Sequence, residues 1–349
     1  MDGRLTLHPG PGGSEPGDTA STTDPAASIV STPTDPTSTP GRPPVDQARR
    51  GLLYAFGAYA LWGVFPLYFP LAEPATPLEI LAHRVLWSAV LSGVLLLIPA
   101  VRRDLGTLLR SRRRMTYLTV AALVLAVNWY TYIWSVNNGE VVQASLGYYV
   151  NPLVSVLLGV IVLHERLRRL QWISLGIGLL AVVWLTVEHG GLPWIALALA
   201  FSFGSYGLFK KQADAAAVQS LAVETAVLTP AAIAYLAYLV ASGQSTFGNH
   251  GAGHTLILMS MGVVTAVPLL CFAGAATRIP LSVIGMLQYM TPTIQLALGV
   301  FVLNEPLPGR RLAGFAIVWL ALALLMVDGL RARRTAIRAT AAASSDARL

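Results

Sequence analysis

From Leu52 onward the chain alternates apolar stretches, each about as long as a bilayer is thick, with short polar breaks. The stretches run 52–71, 78–99, 116–136, 141–163, 170–187, 193–209, 220–241, 255–276, 281–303 and 311–327. A helix rises about 1.5 Å per residue, and roughly 20 apolar residues cross the ~30 Å hydrocarbon core. The pattern predicts ten transmembrane helices with antiparallel neighbours. Residues 1–47 break it. They are rich in Pro, Thr, Ser and Gly, hold no signal-peptide apolar run, and read as a disordered polar tail. Residues 328–349 read as a basic tail. Composition agrees with an all-α integral membrane protein. Of the 349 residues 54% are apolar and 12% charged, against roughly 25% charged in soluble domains. The polar skin a water-soluble fold of this size needs is missing.

The positions of the charges set the orientation. Of 24 Lys and Arg, 21 fall in segments that share one side when the amino terminus is inside: the tail, 102–114, 166–169, Lys210, Lys211, Arg278 and the carboxyl end. The other side holds Arg310 and Arg311, and Arg84 lies within a helix. The positive-inside rule puts both termini in the cytoplasm. It also assigns the net charge of +7 to anionic lipid headgroups rather than to nucleic acid. The single cysteine, Cys271, excludes an intrachain disulfide and a multi-cysteine zinc site. No cofactor or metal is implied. HExxH, GxSxG and Walker motifs are absent, so an enzyme is not expected. Uphill transport would need an ion gradient or exchange.

A shift of 140 residues aligns YVNPLVSVLLGVIVLHERL (149–167) with YMTPTIQLALGVFVLNEPL (289–307), identical at nine of 19 positions including Tyr, Pro, Gly and Glu. The repeat units, 51–187 and 193–327, hold five helices each. Five is odd, so the second copy enters the membrane from the opposite side. Inverted repeats recur in secondary transporters.

The segments GAYALWGVFPLY (57–68), EILAHRVLWS (79–88), NWYTYIWSVNNG (128–139), ASLGYYVNPLVSVLLGV (144–160), LPWIALALAFSFGSYGLFKK (192–211) and LQYMTPTIQLALGVFVLNEPL (287–307) resemble the RarD family. RarD proteins form part of the EamA group of the drug/metabolite transporter superfamily. The resemblance covers about residues 50–328. It implies ten helices, a bacterial inner (plasma) membrane and export of small molecules or metabolites. The expected partners are a small-molecule solute and membrane lipids, and a homodimer is left open. The rival classes are a passive channel, a membrane sensor and, further off, a membrane enzyme.

Pro152 and Pro292 fall at the centre of their apolar stretches. Each denies the helix a hydrogen bond, and the freed carbonyls need partners that lipid cannot give. Both are expected to break their helices at mid-depth. The polar residues around them, Tyr148, Tyr149 and Asn151 in one half and Gln288, Tyr289 and Thr291 in the other, are candidates for solute binding. Asn128 among aromatics suits a pocket for flat solutes or, equally, interhelical packing. Trp62 and Tyr206 are candidate pocket-lining residues. Charges inside helices are costly enough to face a cavity or a partner. They are Glu79 and His83, four apart and able to meet, Arg84, which can snorkel or attract an anion, and Glu224, the candidate proton-coupling carboxylate. Glu165 and Glu305 close the two repeat endings and are expected to anchor loops.

In a Cys271-free background, a cysteine placed in 242–254 should react with an impermeant reagent outside intact cells. Labelling in 102–114 instead would reverse the orientation.

Overall fold

The computed structural model describes residues 45–164 and 166–346. The expected tail lies outside them up to residue 44, as does Glu165. The last three tail residues, 45–47, belong instead to the first helix. That helix starts straight after Pro43-Pro44 with Asp46 in its first turn, where a negative charge suits the helix dipole.

The long helices are α1 (Val45–Gly63), α2 (Pro77–Leu95), α3 (Arg112–Asn137), α4 (Val141–Leu163), α5 (Arg169–His189), α6 (Trp194–Ala213), α7 (Ala217–Ala241) and α8 (Gly251–Ala276). They continue with α9 (Leu281–Leu287), α10 (Met290–Phe301) and α11 (Gly309–Asp346). Short helical turns at Phe65–Tyr68 and Phe69–Ala72 follow α1. No strand occurs among the described residues. Local chemistry marks several ends. Thr76 caps α2 by accepting the Glu79 N–H, with Pro77 as first residue. Ser111 caps α3 through the Arg114 N–H. α5 stops at Gly190, whose φ of 72° favours glycine.

Among the described residues, eight spans are long and apolar enough to cross a membrane, with α9 and α10 counted as one. Nine qualify if α1 and the bent continuation to Ala72, 46° off its line, count as one span. The tenth expected span, α6, does not qualify. It carries Ser202, Ser205, Tyr206, Lys210 and Lys211 and packs along both α3 and α4. A helix flanked by protein needs less apolar surface than one facing lipid. Elsewhere the outer faces are apolar: Phe56, Val94, Leu123, Leu179, Val240 and Leu256 are all exposed. Such a surface belongs in a bilayer.

The two halves interlock. α1 packs on α8 and α10, and α6 packs on α3 and α4. α2 packs on α8, and α7 packs on α3. The pairs α2–α7, α4–α10 and α5–α11 each join one half to the other. Numbering the second half's spans from α6, with α9 and α10 as one span, turns each contact into its counterpart. Small residues permit the closest approaches. A Cβ on Gly262 of α8 would fall on the Trp87 carbonyl of α2, and one on Gly147 of α4 would lie 2.8 Å from the Ala196 oxygen of α6.

Gly262→Val and Gly147→Val should each destabilise the protein by about 1–3 kcal/mol, the usual cost of overpacking. Gly57→Ala, where a Cβ meets nothing within 4 Å, should be silent. Thermal unfolding in detergent measures all three. Equal midpoints would mean these contacts are not close-packed.

Candidate functional site

Arg84 lies seven residues into α2, about 10 Å along it at 1.5 Å per residue, and is 5% exposed. It does not snorkel. Its Nε donates to Thr265 Oγ1 of α8 at 3.0 Å. The guanidinium carbon sits 4.1 Å from the centre of the Trp129 ring and 5.7 Å from those of Phe65 and Phe69. The bend after α1 is what brings Phe65 and Phe69 there, and α3 supplies Trp129. Tyr132, one turn along α3 from Trp129, meets Phe69 at 6.0 Å and Tyr148 of α4 at 5.6 Å, both edge to face. The Tyr132 hydroxyl accepts from Gln295 Nε2 of α10 at 2.9 Å. That nitrogen also reaches the Trp62 carbonyl at 3.2 Å, while the buried Gln295 Oε1 has no partner. Helices from both halves thus converge on one aromatic, cationic centre.

A second cluster surrounds Glu224, which is 1% exposed. Lys210 Nζ lies 2.9 Å from its Oε1, Ser220 Oγ donates to the same oxygen at 2.6 Å, and the Tyr206 hydroxyl donates to Oε2 at 3.3 Å. Lys210 also donates to the Tyr206 oxygen at 2.6 Å. The sequence reading places Lys210 among loop charges and Tyr206 in a pocket. The structure makes both of them partners of Glu224. The spacing 206 to 210, one helical turn, carried that signal.

Glu79 and His83 do not bond to each other. Glu79 Oε1 accepts the Thr246 N–H at 2.8 Å. His83 stacks on Phe247 at 4.8 Å, and neither ring nitrogen has a partner. Glu79 therefore ties the start of α2 to the segment after α7. The residue 140 positions on makes the mirrored tie. Gln219, at the start of α7, donates to the Val101 carbonyl after α2 at 2.8 Å.

The two prolines behave differently. α4 runs unbroken through Pro152, correcting the expected break there. The second copy is interrupted at Gln288 and Tyr289, between α9 and α10, just ahead of Pro292. A proline bends or breaks a helix only as far as its neighbours allow, and α4 is held against α6 and α10. The residues beside the prolines scatter. Tyr148 faces the Arg84 centre. Tyr149 points to the other side, packing on Phe315 and Trp319 and sharing a 2.7 Å hydroxyl contact with Thr293. Tyr289 lines a separate cleft with Met286, Leu325 and Leu330. Thr291 Oγ1 donates to the Tyr59 carbonyl at 2.9 Å. Gln288 ends α9 and is half-buried. The Asn151 Oδ1 is buried without a partner. Asn128 donates to the Leu199 carbonyl and Ser202 Oγ at 3.2 and 2.9 Å, so its amide joins α3 to α6. Trp62 packs on Tyr59 and Phe272.

Glu305 lies past α10. Its two oxygens accept the N–H groups of Val141 and Val142 at 2.7 Å each, closing the open end of α4 from outside that helix. Burial raises its carboxyl above the ordinary carboxylate range even though the two amides pull it down. Loop anchoring, expected for Glu305, is the contact observed.

Residues 49–187 and 191–327 each match the EamA-like transporter family. The chain is 52% identical over 301 residues to protein RarD of Streptomyces exfoliatus, covering 85% of this chain and 95% of that one. It is 40% identical to protein RarD of Escherichia coli, over 82% and 97% of the two chains. It is 42% identical to an uncharacterized transporter of Pseudomonas aeruginosa, over 82% and 96%. One solved crystal structure superposes with a TM-score of 0.52 at 18% identity, over 80% of this chain and 98% of its own, which speaks to fold alone.

Glu305→Ala should lower stability by about 0.5–2 kcal/mol, the range for a lost helix cap. Glu305→Gln, which keeps one accepting oxygen, should cost less. If thermal unfolding ranks the two the other way, the carboxylate is not acting as an external cap.

Proposed function

The chain belongs to the EamA-like transporter family, in its RarD group, and from that premise we propose that it is a secondary transporter moving a small organic solute outward across the bacterial inner membrane by alternating access. As a member of that family it is a multi-pass membrane transporter of the drug/metabolite type. The proposal adds ten spans in two inverted five-helix repeats, with both termini cytoplasmic.

The observation that carries it is the pair of exchanged ties. Glu79 fastens α2 to the segment after α7 at one end of the bundle, and Gln219 fastens α7 to the segment after α2 at the other. Equivalent devices at opposite ends let one open while the other stays shut. That is what alternating access between two similar packings requires. The interlocked helix contacts support the same reading. Solute would sit at the aromatic centre around Arg84, Tyr132 and Tyr148, reached from each side in turn. Glu224, held by Lys210, Ser220 and Tyr206 near the end that carries most of the arginines, is the proposed coupling carboxylate. A proton arriving there would dissolve the ion pair and loosen α6 from α7.

Cells overproducing the protein should release one class of solute above control levels, and that solute should show saturable counterflow in proteoliposomes. Glu224→Gln should abolish dependence on a pH gradient while sparing exchange. Flux that rises without saturation would favour the channel reading.

A further inference from the structure

Arg84 is a cation without a counter-ion. Among the described residues no carboxylate lies within ion-pair distance of it, and its one hydrogen bond, from Nε to Thr265, leaves both Nη groups with no acceptor. Two of the nearby tyrosine hydroxyls are engaged elsewhere. The Tyr68 hydroxyl contacts Ser260 Oγ and the Ile257 carbonyl, and the Tyr132 hydroxyl takes the Gln295 amide. Glu79, Glu224 and Glu305 are each committed to other donors. A guanidinium keeps its charge at neutral pH. The Trp129 ring, 4.1 Å from its central carbon, stabilises the charge. A ring supplies no oxygen to the N–H edge, which fits two oxygens of one oxyanion side by side. Phe65 and Phe69 lie 5.7 Å from the guanidinium carbon and Tyr148 packs on Tyr132, rings that suit a flat apolar body. The orphan Gln295 Oε1, one residue away through Tyr132, offers an acceptor.

We infer that Arg84 is the anion-recognition group of the central site, and that the solute carries an oxyanion, carboxylate or phosphate, on a flat, largely apolar body. This rests on the transporter reading above and names its substrate class.

The test uses purified full-length protein with benzoate, phenyl phosphate and the uncharged benzamide as probes. Benzoate or phenyl phosphate should raise the thermal midpoint, and benzamide should not. The anion that does so identifies the oxyanion. Arg84→Gln should weaken that binding about tenfold or more while changing the midpoint of the free protein little, because the charge it removes has no carboxylate partner and the glutamine amide can still donate toward Thr265. Arg84→Lys, which keeps the charge but not the fork, should fall between. A merely structural arginine would instead show a lower midpoint on substitution and unchanged binding. Equal shifts from all three probes, or none from either anion, would overturn the inference without needing any variant. Counterflow separates the two readings. Saturable exchange of a neutral solute with no anion binding would keep the carrier and remove the anion site. Anion binding that needs Arg84, with no counterflow, would keep the site and remove the carrier.

Discussion

Hydrocarbon offers no hydrogen bonds, and this governs how the chain places every polar group it buries. An ionised side chain at the centre of a membrane helix costs about 2.5–3.5 kcal/mol on insertion scales. Each buried charge here must therefore be answered from within the protein. Glu305 is answered by two backbone amides, Glu79 by one, and Glu224 by a lysine and two hydroxyls. Three different solutions to one constraint fix three helix contacts: α10 to α4, α2 to the segment after α7, and α7 to α6. Arg84 is the exception, surrounded by rings that soften the cost without cancelling the charge.

That exception separates structural from chemical roles among the buried polar residues. Removing one partner of a satisfied buried pair leaves the other stranded, which makes the pair rigid and costly to open. Glu224 with Lys210 has that character, so it can act in transport only if something, a proton or a solute, takes over one partner's role. A cation with no partner has the opposite character. The hydrogen bond to Thr265 and the surrounding rings hold it in place without neutralising it, and in the reading proposed above a bound anion would do so.

The helices were legible in the sequence because hydrophobic length is a strong signal, and the repeat was legible because Tyr, Pro, Gly and Glu share one register. α6 was read from the same pattern as the others, yet it is polar enough to fail as a lipid-facing span. Its polarity reflects α3 and α4 on either side, which no local window reveals. The site was less legible for the same reason. Pro152 and Pro292 have identical local meaning, but α4 runs unbroken while its counterpart is interrupted. Thr291 looked like a lining residue, and Asn128 read equally as lining or packing; in the structure both tie helices together. Phe65, Phe69 and Gln295 carried no motif. They become part of the centre only because the chain bends after Gly63 and α10 crosses α1.

The 140-residue offset pairs the two ties at Glu79 and Gln219 but not the charges at Arg84 and Glu224. Glu79 and Gln219 are chemically unlike as ions but alike as hydrogen-bonding groups, and they do the same job at opposite ends. Arg84 and Glu224 share the same offset and are opposite in sign. One stands alone among aromatics, and the other is enclosed by donors. A duplicated scaffold needs its two halves to pack interchangeably, which the equivalent ties at positions 79 and 219 allow. The solute proposed above has no such symmetry, because its charged end and its apolar body would be met by different groups. Divergence at 84 and 224, within halves that otherwise exchange contacts, is what the proposed carrier would need in order to move an asymmetric cargo through a symmetric scaffold.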